Sequence, residues 1–258
     1  GIGGKPVIYF IVAGSGAPDL ITVRGARLLE QAGCVVYAGS LVNPELLKLC
    51  PPECEIHDSA RMTLEEVIEV LLAAERAGKL TVRLHTGDPC VYGAIREQME
   101  RLDEAGVSYK VVPGVSSFCG AASALPAEYT VPGVSQTVIL TRMAGRTPVP
   151  KGQELSSLAS HRASMVLFLS AGLLEESQAE LLRGGYSPDT PAAIVYKATW
   201  PDEKVFRCTI STLAETAKQN GIGKTALILI GDFLGDGGER SLLYDPTFTT
   251  GYREAAKS

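Results

Sequence analysis

Residues 7–33 read VIYFIVAGSGAPDLITVRGARLLEQAG. An apolar run leads into the glycine turn VAGSGAPDL (12–20), and a helix-like stretch follows. The pattern predicts a strand over 7–13 and a helix over 20–32. Leu20, Val23, Leu28 and Leu29 give that helix a partial apolar stripe, and Gly33 gives it a stop. Strand, glycine turn and helix in this order can hold a pyrophosphate, but the dinucleotide fingerprint G-x-G-x-x-G needs a third glycine. Gly14 and Gly16 meet the first two positions, and Asp19 stands at the third. A carboxylate there is expected to cap the helix and to compete with a phosphate for the same amides. No G-x-x-x-x-G-K-[ST] occurs elsewhere.

Working outward, strands and helices alternate. CVVY (34–37), LTVRLH (80–85) and VSYKVVP (107–113) read as strands. PELLKLC (44–50), LEEVIEVLLAAERAG (64–78) and VYGAIREQMERLDEAG (91–106) read as helices. Thr63 is the expected cap of the second of these, with Glu66 at the capping-box position and Gly78 as its end. The alternation predicts a parallel sheet with crossover helices, and a ligand site at the C-terminal ends of its strands. After Pro113-Gly114 the texture changes. A small-residue helix (115–125) precedes strand candidates at 135–141, 164–170, 192–198, 204–210 and 225–231, with helices near 172–183 and 211–220. The strands flanking WPDEK (200–204) read as a hairpin. The expected architecture is α/β in two domains: 1–113 with a parallel-rich sheet, 114–240 with a mixed sheet, then a polar tail over 241–258.

The chain has 258 residues, 45% hydrophobic and 21% charged, which is ordinary globular composition. Its formal net charge of −5 argues against a general nucleic-acid binder. No apolar run approaches the ~20 residues that span a bilayer. GIGGKPVIYF lacks a charged region leading into an apolar core and a cleavage site, so no secretory signal is expected. The six cysteines (Cys34, Cys50, Cys54, Cys90, Cys119, Cys208) read as reduced thiols of a cytoplasmic protein. Cys50-Pro-Pro-Glu-Cys54 is not a usual zinc spacing, and His57, His85 and His161 form no H-E-x-x-H, so no metal site is expected.

A second turn, Thr86-Gly87-Asp88-Pro89, repeats the theme. It predicts Asp88 as a helix cap and Pro89 at the first helical position. Acidic turns at two strand ends suit a neutral or cationic ligand better than a phosphate. S-adenosylmethionine, with a sulfonium, an amino group and no phosphate, has that character.

AGSGAPDLIT (13–22), Tyr37 in VVYAGSLV, the Gly87–Gly93 turn GDPCVYG and VVPGVSS (111–117) together resemble the tetrapyrrole (class III) methyltransferases. The resemblance covers nearly the whole chain. TRMAGRTPVP (141–150) and VYKATWPDEK (195–204) resemble the branch that methylates C11 of precorrin-4 in corrin biosynthesis. The resemblance implies two α/β domains with the cofactor in the trough between them, and a homodimer. It places cofactor contacts at Ser15, Thr86, Gly87, Asp88, Val91, Ser116, Ser117, Leu169, Ala198 and Ala226. The cofactor would be S-adenosylmethionine, with S-adenosylhomocysteine as product. Ser15 stands where the family usually has Pro and Ala17 where it has Asp. Ala38-Gly39 replaces an acidic residue that relatives carry after the tyrosine, so no catalytic base is carried over.

The tetrapyrrole substrate has many carboxylates and this chain is acidic, so local cations must recognise it. Arg142 and Arg146 are the first candidates because guanidinium pairs carboxylates bidentately, and Lys197 is next. His85 reads either as a hydrogen-bonded structural histidine or as a proton carrier near the ring. The alternatives within the family are cobalt-precorrin-4 as substrate, or another ring carbon (C2/C7, C17, C20). A diphthamide-type protein methyltransferase and a nucleotide-binding regulatory domain are the readings from other classes.

Overall fold

The computed structural model describes residues 7–143, 148–168 and 173–235. The described residues form two compact units. One holds those up to Gly120 together with Thr199–Pro201, and the other holds Ala121–Ala198 and those from Asp202 onward.

The first unit is built on a parallel sheet of β1 (Ile8–Val12), β2 (Cys34–Tyr37), β3 (Glu55–Asp58), β4 (Thr81–His85) and β5 (Tyr109–Val112), in the order β3-β2-β4-β1-β5. Its central strands β1, β2 and β4 are buried along nearly their whole length because both faces are covered. Ile8, Phe10, Cys34 and Val36 pack under α2 (Leu64–Arg76) and α3 (Ile95–Glu104). Ile11, Val35, Val82 and Leu84 face α1 (Val23–Glu30) and the 3-10 segment Pro44–Leu49. The chain leaves β1 for β2, on the far side of β4, and leaves β4 for β5, on the far side of β1. The two loops thus depart in opposite directions, which is where open α/β sheets form a ligand crevice.

The second unit has a mixed sheet of β6 (Val138–Arg142), β7 (Ser164–Phe168), β8 (Pro191–Tyr196), β9 (Lys204–Thr209) and β10 (Ala226–Ile230), in the order β6-β7-β10-β8-β9. Only β6 and β7 run parallel; the other pairs are antiparallel, including the expected hairpin of β8 with β9. Met165, Leu167, Ile194, Ile228 and Ile230 form its core with Leu155 of α5 (Leu155–Ala159), Leu181 of α6 (Leu174–Gly184) and Leu213 of α7 (Leu213–Gln219).

Thr63 caps α2 as expected, accepting from the Glu66 N–H at 3.1 Å, and its hydroxyl donates to the Glu66 carboxylate. Two expected helices start later than the pattern indicates. Ile21 and Thr22 are extended, and the Thr22 hydroxyl accepts from Gly25 N at 3.0 Å, so α1 begins at Val23. Asp19 lies in a 3-10 turn, exposed, and caps nothing there. Val23 points to solvent at 66% exposure, so the apolar stripe is narrower than predicted. Tyr92 and Ala94 both take positive φ, which bars a helix through 91–94, and α3 begins at Ile95. The edge strand β3 was not expected: three of the four residues of EIHD are polar, and the strand is mostly exposed.

Gly114, just after β5, sits against β1. A Cβ there would lie 2.6 Å from Val12 Cγ1 and 3.6 Å from Thr22 Cγ2. Gly114→Ala is therefore expected to destabilise the protein by about 1–3 kcal/mol through overpacking. A fall in the urea midpoint without a change in slope would show it; an unchanged midpoint would refute the close approach.

Candidate active site at the C-terminal ends of the parallel strands

Hydrogen bonding between β1 and β4 continues past both strands. Ala13 N–H donates to His85 O at 2.6 Å and Gly87 N–H donates to Gly14 O at 2.9 Å. The two glycine turns are thereby bridged to each other. The turn after β4 is tied to the one after β5 by Asp88. One carboxylate oxygen accepts from Cys90 N at 3.0 Å, and the other accepts from Gly114 N at 3.2 Å. Asp88 is thus a cross-loop tie and not the helix cap that the sequence indicated. Partial burial disfavours its charge, but the hydrogen bonds from Cys90 and Gly114 outweigh burial and hold its carboxyl below the ordinary range. It is ionised at neutral pH.

The first turn has further supports. Asn43 donates from Nδ2 to Gly16 O at 3.1 Å while its Oδ1 accepts from Glu45 N. Thr199 belongs to the same unit, although it is 184 residues from Ser15 in sequence. Its hydroxyl accepts from Ala17 N at 2.9 Å and pairs with the Ser15 hydroxyl at 3.1 Å. The Trp200 ring lies so close over Gly16 that a Cβ there would be 2.3 Å from Cδ1. Ser15, where the resemblance leads one to expect proline, is buried, and Thr199 engages its hydroxyl.

Of the expected cofactor residues, Ser15, Thr86, Gly87, Asp88, Val91 and Ser116 fall on the loops after β1, β4 and β5, and Ser117 follows directly on the last of these. Ser116 is buried and its carbonyl accepts from Cys119 and Gly120, while Ser117 opens α4 (Ser117–Ala124). The Ser117 N–H nitrogen lies 3.5 Å from where a Cβ on Gly87 would stand. The Thr86 hydroxyl is buried without a hydrogen-bond partner among the described residues. Ala198 and Ala226 are buried in the second unit, Ala226 within its core and paired with Tyr196. Leu169 and Arg146 lie outside the described residues. Arg142 ends β6 and donates weakly to Met143 O at 3.4 Å. Lys197 is paired with Asp202 at 3.1 Å, so part of its charge is already compensated.

Sequence reading missed Asn43, Thr199 and Trp200, because none lies in the glycine motifs. It also missed Asp58. Where the expected acid after Tyr37 is replaced by Ala38-Gly39, Asp58 on the neighbouring strand brings a carboxylate instead. Its Oδ1 lies 4.0 Å from the Cβ position of Gly39. Burial, and then the charge and hydrogen bond of Asp58, raise the Tyr37 phenol above its ordinary value.

His85 faces α3 on the same side of β4 as Arg83 and stacks on Phe10, with ring centroids 6.2 Å apart. Its Nε2 is buried without a hydrogen-bond partner among the described residues. Burial, and secondarily the Arg83 charge, push its pKa from 6.5 down to about 3. It is a neutral core histidine, which favours the structural reading over proton transfer. An unfolded histidine takes up a proton near 6.5 and this folded one does not. The stability it contributes is therefore full above that pH and declines as pH falls toward 3. Between pH 7.5 and 5.0 the protein should lose about 2 kcal/mol more than a His85→Leu variant does. Urea titrations of both at the two pH values check this; parallel losses would refute it.

The profile of the Tetrapyrrole (Corrin/Porphyrin) Methylases matches residues 7–214. The chain is 49% identical to the Cobalt-precorrin-4 C(11)-methyltransferase of Priestia megaterium, over 97% of this chain and 99% of the relative. It is 46% identical to the Precorrin-4 C(11)-methyltransferase of Mycobacterium tuberculosis H37Rv, over 92% and 95%. Among solved structures, a cobalt precorrin-4 methyltransferase superposes with a TM-score of 0.86 at 50% identity, covering 88% of this chain and 95% of that one. A uroporphyrin-III C-methyltransferase from Thermus thermophilus, solved with S-adenosyl homocysteine, superposes with a TM-score of 0.73 at 29% identity, over 91% and 96%. The fold and these matches define a methyltransferase. The chain belongs to the tetrapyrrole (corrin/porphyrin) methylases.

Proposed function

We propose that this chain transfers a methyl group from S-adenosylmethionine to C11 of precorrin-4 in corrin (cobalamin) biosynthesis. The observation that carries the reading is near-half identity, along almost the full length of both chains, to proteins named for that reaction. Cobalt-precorrin-4 is the second reading, favoured by the 49% relative and by the 50% identical structure. The ring would hold the cobalt, so the protein needs no ligand set for it.

The turns suit the methyl donor. The buried Thr86 hydroxyl has no partner among the described residues, and neither VAGSGAPDL nor TGDPCVYG contains a Lys or Arg to receive a phosphate. When bound, S-adenosylmethionine supplies a methyl group activated on a sulfonium. The residues of the chain then have to align two molecules. Orientation of this kind contributes on the order of 7–11 kcal/mol to a reaction between bound partners. Asp88 keeps the second turn against the loop after β5, and Thr199 and Asn43 keep the first turn in shape. The macrocycle carbon is the nucleophile, so no activated side chain is required. Arg142 and Arg146 are assigned to the substrate carboxylates, with Lys197 after them because Asp202 already engages it. Among the described residues no helix is long and apolar enough to cross a membrane. A cytoplasmic homodimer is the assembly in keeping with the family resemblance, and light scattering on a sizing column measures it.

Incubation with each macrocycle and S-adenosylmethionine, followed by mass and NMR assignment, tests the reaction. Methylation at C11 of either ring supports it; methylation at another carbon, or of neither ring, overturns it. Arg142→Ala and Arg146→Ala should each raise the KM for the macrocycle about tenfold or more. Calorimetry should find S-adenosylhomocysteine affinity nearly unchanged in both. Loss of both affinities together would remove the arginines from substrate recognition.

A further inference from the structure

A second cluster of chemically active side chains lies at the far edge of the parallel sheet, on β2 and β3. Parallel pairing sets Cys34 opposite Glu55 and Val36 opposite His57. Alternate residues of a strand share a face, and neighbouring strands are about 4.8 Å apart. Cys34, Glu55 and His57 therefore converge on one face, although 21 residues separate the first from the second. Their ligand atoms, a thiol sulfur, a carboxylate oxygen and an imidazole nitrogen, lie within 4.8 Å of one another. The same face lies under α2, where Ala73, Ala74 and Ala77 fill little space. A cavity of about 200 Å³ opens there, lined also by Glu55, His57 and Lys79. Among the described residues, buried His57 Nε2 makes no well-formed hydrogen bond; Glu55 Oε2 lies 3.5 Å away.

We propose that Cys34, Glu55 and His57 form a binding site for a zinc-type divalent cation that ties the edge strand β3 to β2. A thiolate, an imidazole and a carboxylate match the borderline character of Zn²⁺ and suit Mg²⁺ or Ca²⁺ poorly. A tetrahedral zinc with these donors sets sulfur and nitrogen about 3.6 Å apart, so side-chain rotation of roughly 1 Å closes the site. Water fills the fourth position. Binding releases the Cys34 proton to solvent and frees Glu55 from the Lys79 ammonium, which occupies the carboxylate in this structure. Lys79 is thus a built-in competitor for the metal. The site lies outside the methyl-transfer loops and does not depend on their assignment. Because its three ligands come from two strands, no sequence motif announces it.

Calorimetric titration of the chelator-treated full chain with ZnCl₂ at pH 7.5 is the test, with MgCl₂ as control. One equivalent of Zn²⁺ should bind at micromolar or lower Kd, and Mg²⁺ should not. Cys34→Ser and His57→Ala should each weaken Zn²⁺ binding about tenfold or more, and Lys79→Met should tighten it. Cys34 is fully buried, so its variant is read together with His57→Ala, on the exposed edge strand, and with thermal melts of each. In the Co²⁺-loaded chain, Cys34→Ser should abolish the thiolate-to-metal absorption band. Zn²⁺ affinity unchanged in both ligand variants, or no binding below about 100 μM, overturns the proposal.

Discussion

The site depends first on the pairing of β1 with β4. Val12 lies opposite His85, and the ladder carries on through Ala13 and Gly87 into both glycine turns. The turns are therefore extensions of the sheet, with positions set by strand register. A slip of one residue would exchange the faces of β4, moving Arg83 and His85 under α1 and Val82 and Leu84 under α3. It would also separate Gly14 from Gly87. The apolar requirement on both faces opposes such a slip, so core packing and loop placement are one constraint. Asp88 extends the same logic to the third loop, because its two oxygens hold Cys90 and Gly114 at once.

That register places polar groups where they must be satisfied without water. Arg83 is 7% exposed and has no carboxylate partner among the described residues. Its donors go to Gln98 Oε1, Val36 O and the Ser59 hydroxyl. Burial lowers its pKa to about 10, which still leaves it charged at neutral pH. A fixed positive charge two residues from His85 on the same face disfavours a second one, adding to the effect of burial. The central strand thus carries one charge and one neutral imidazole into the core. The negative charge of Asp88 stands at its exit. The polar residues of RLHTGD divide into core and turn by environment, although the sequence sets them side by side.

Much of this architecture was legible because the strands of a doubly covered sheet are apolar runs, and those runs alternate with helical periods. The mixed sheet and its hairpin were legible for the same reason. The helix starts were not. Thr22 captures the Gly25 amide, which sets the start of α1 beyond Asp19, and positive φ at Tyr92 and Ala94 delays α3. An acidic residue before a helical pattern looks like a cap whether or not the backbone lets it act as one. β3 was missed because a mostly polar edge strand has no apolar run to show. The loop residues predicted for the cofactor were brought together by the three strand ends. Their structural supports came from elsewhere in the chain.

Those supports hold the first turn in shape without the proline that the resemblance leads one to expect at position 15. A proline at position 15 would fix φ by its ring. Ser15 lacks that restraint, and its hydroxyl meets Thr199 instead. A single neutral hydrogen bond contributes only about 1 kcal/mol, too little to hold a loop alone. Thr199 also accepts the Ala17 amide, Asn43 holds the Gly16 carbonyl, and Trp200 covers the Gly16 Cα. These contacts act on three consecutive residues and come from two segments that follow the motif in the chain. The conformation of the turn is thus a property of residues 43, 199 and 200 as much as of its own glycines. Substitution inside the motif is tolerable because the motif is not what alone defines it.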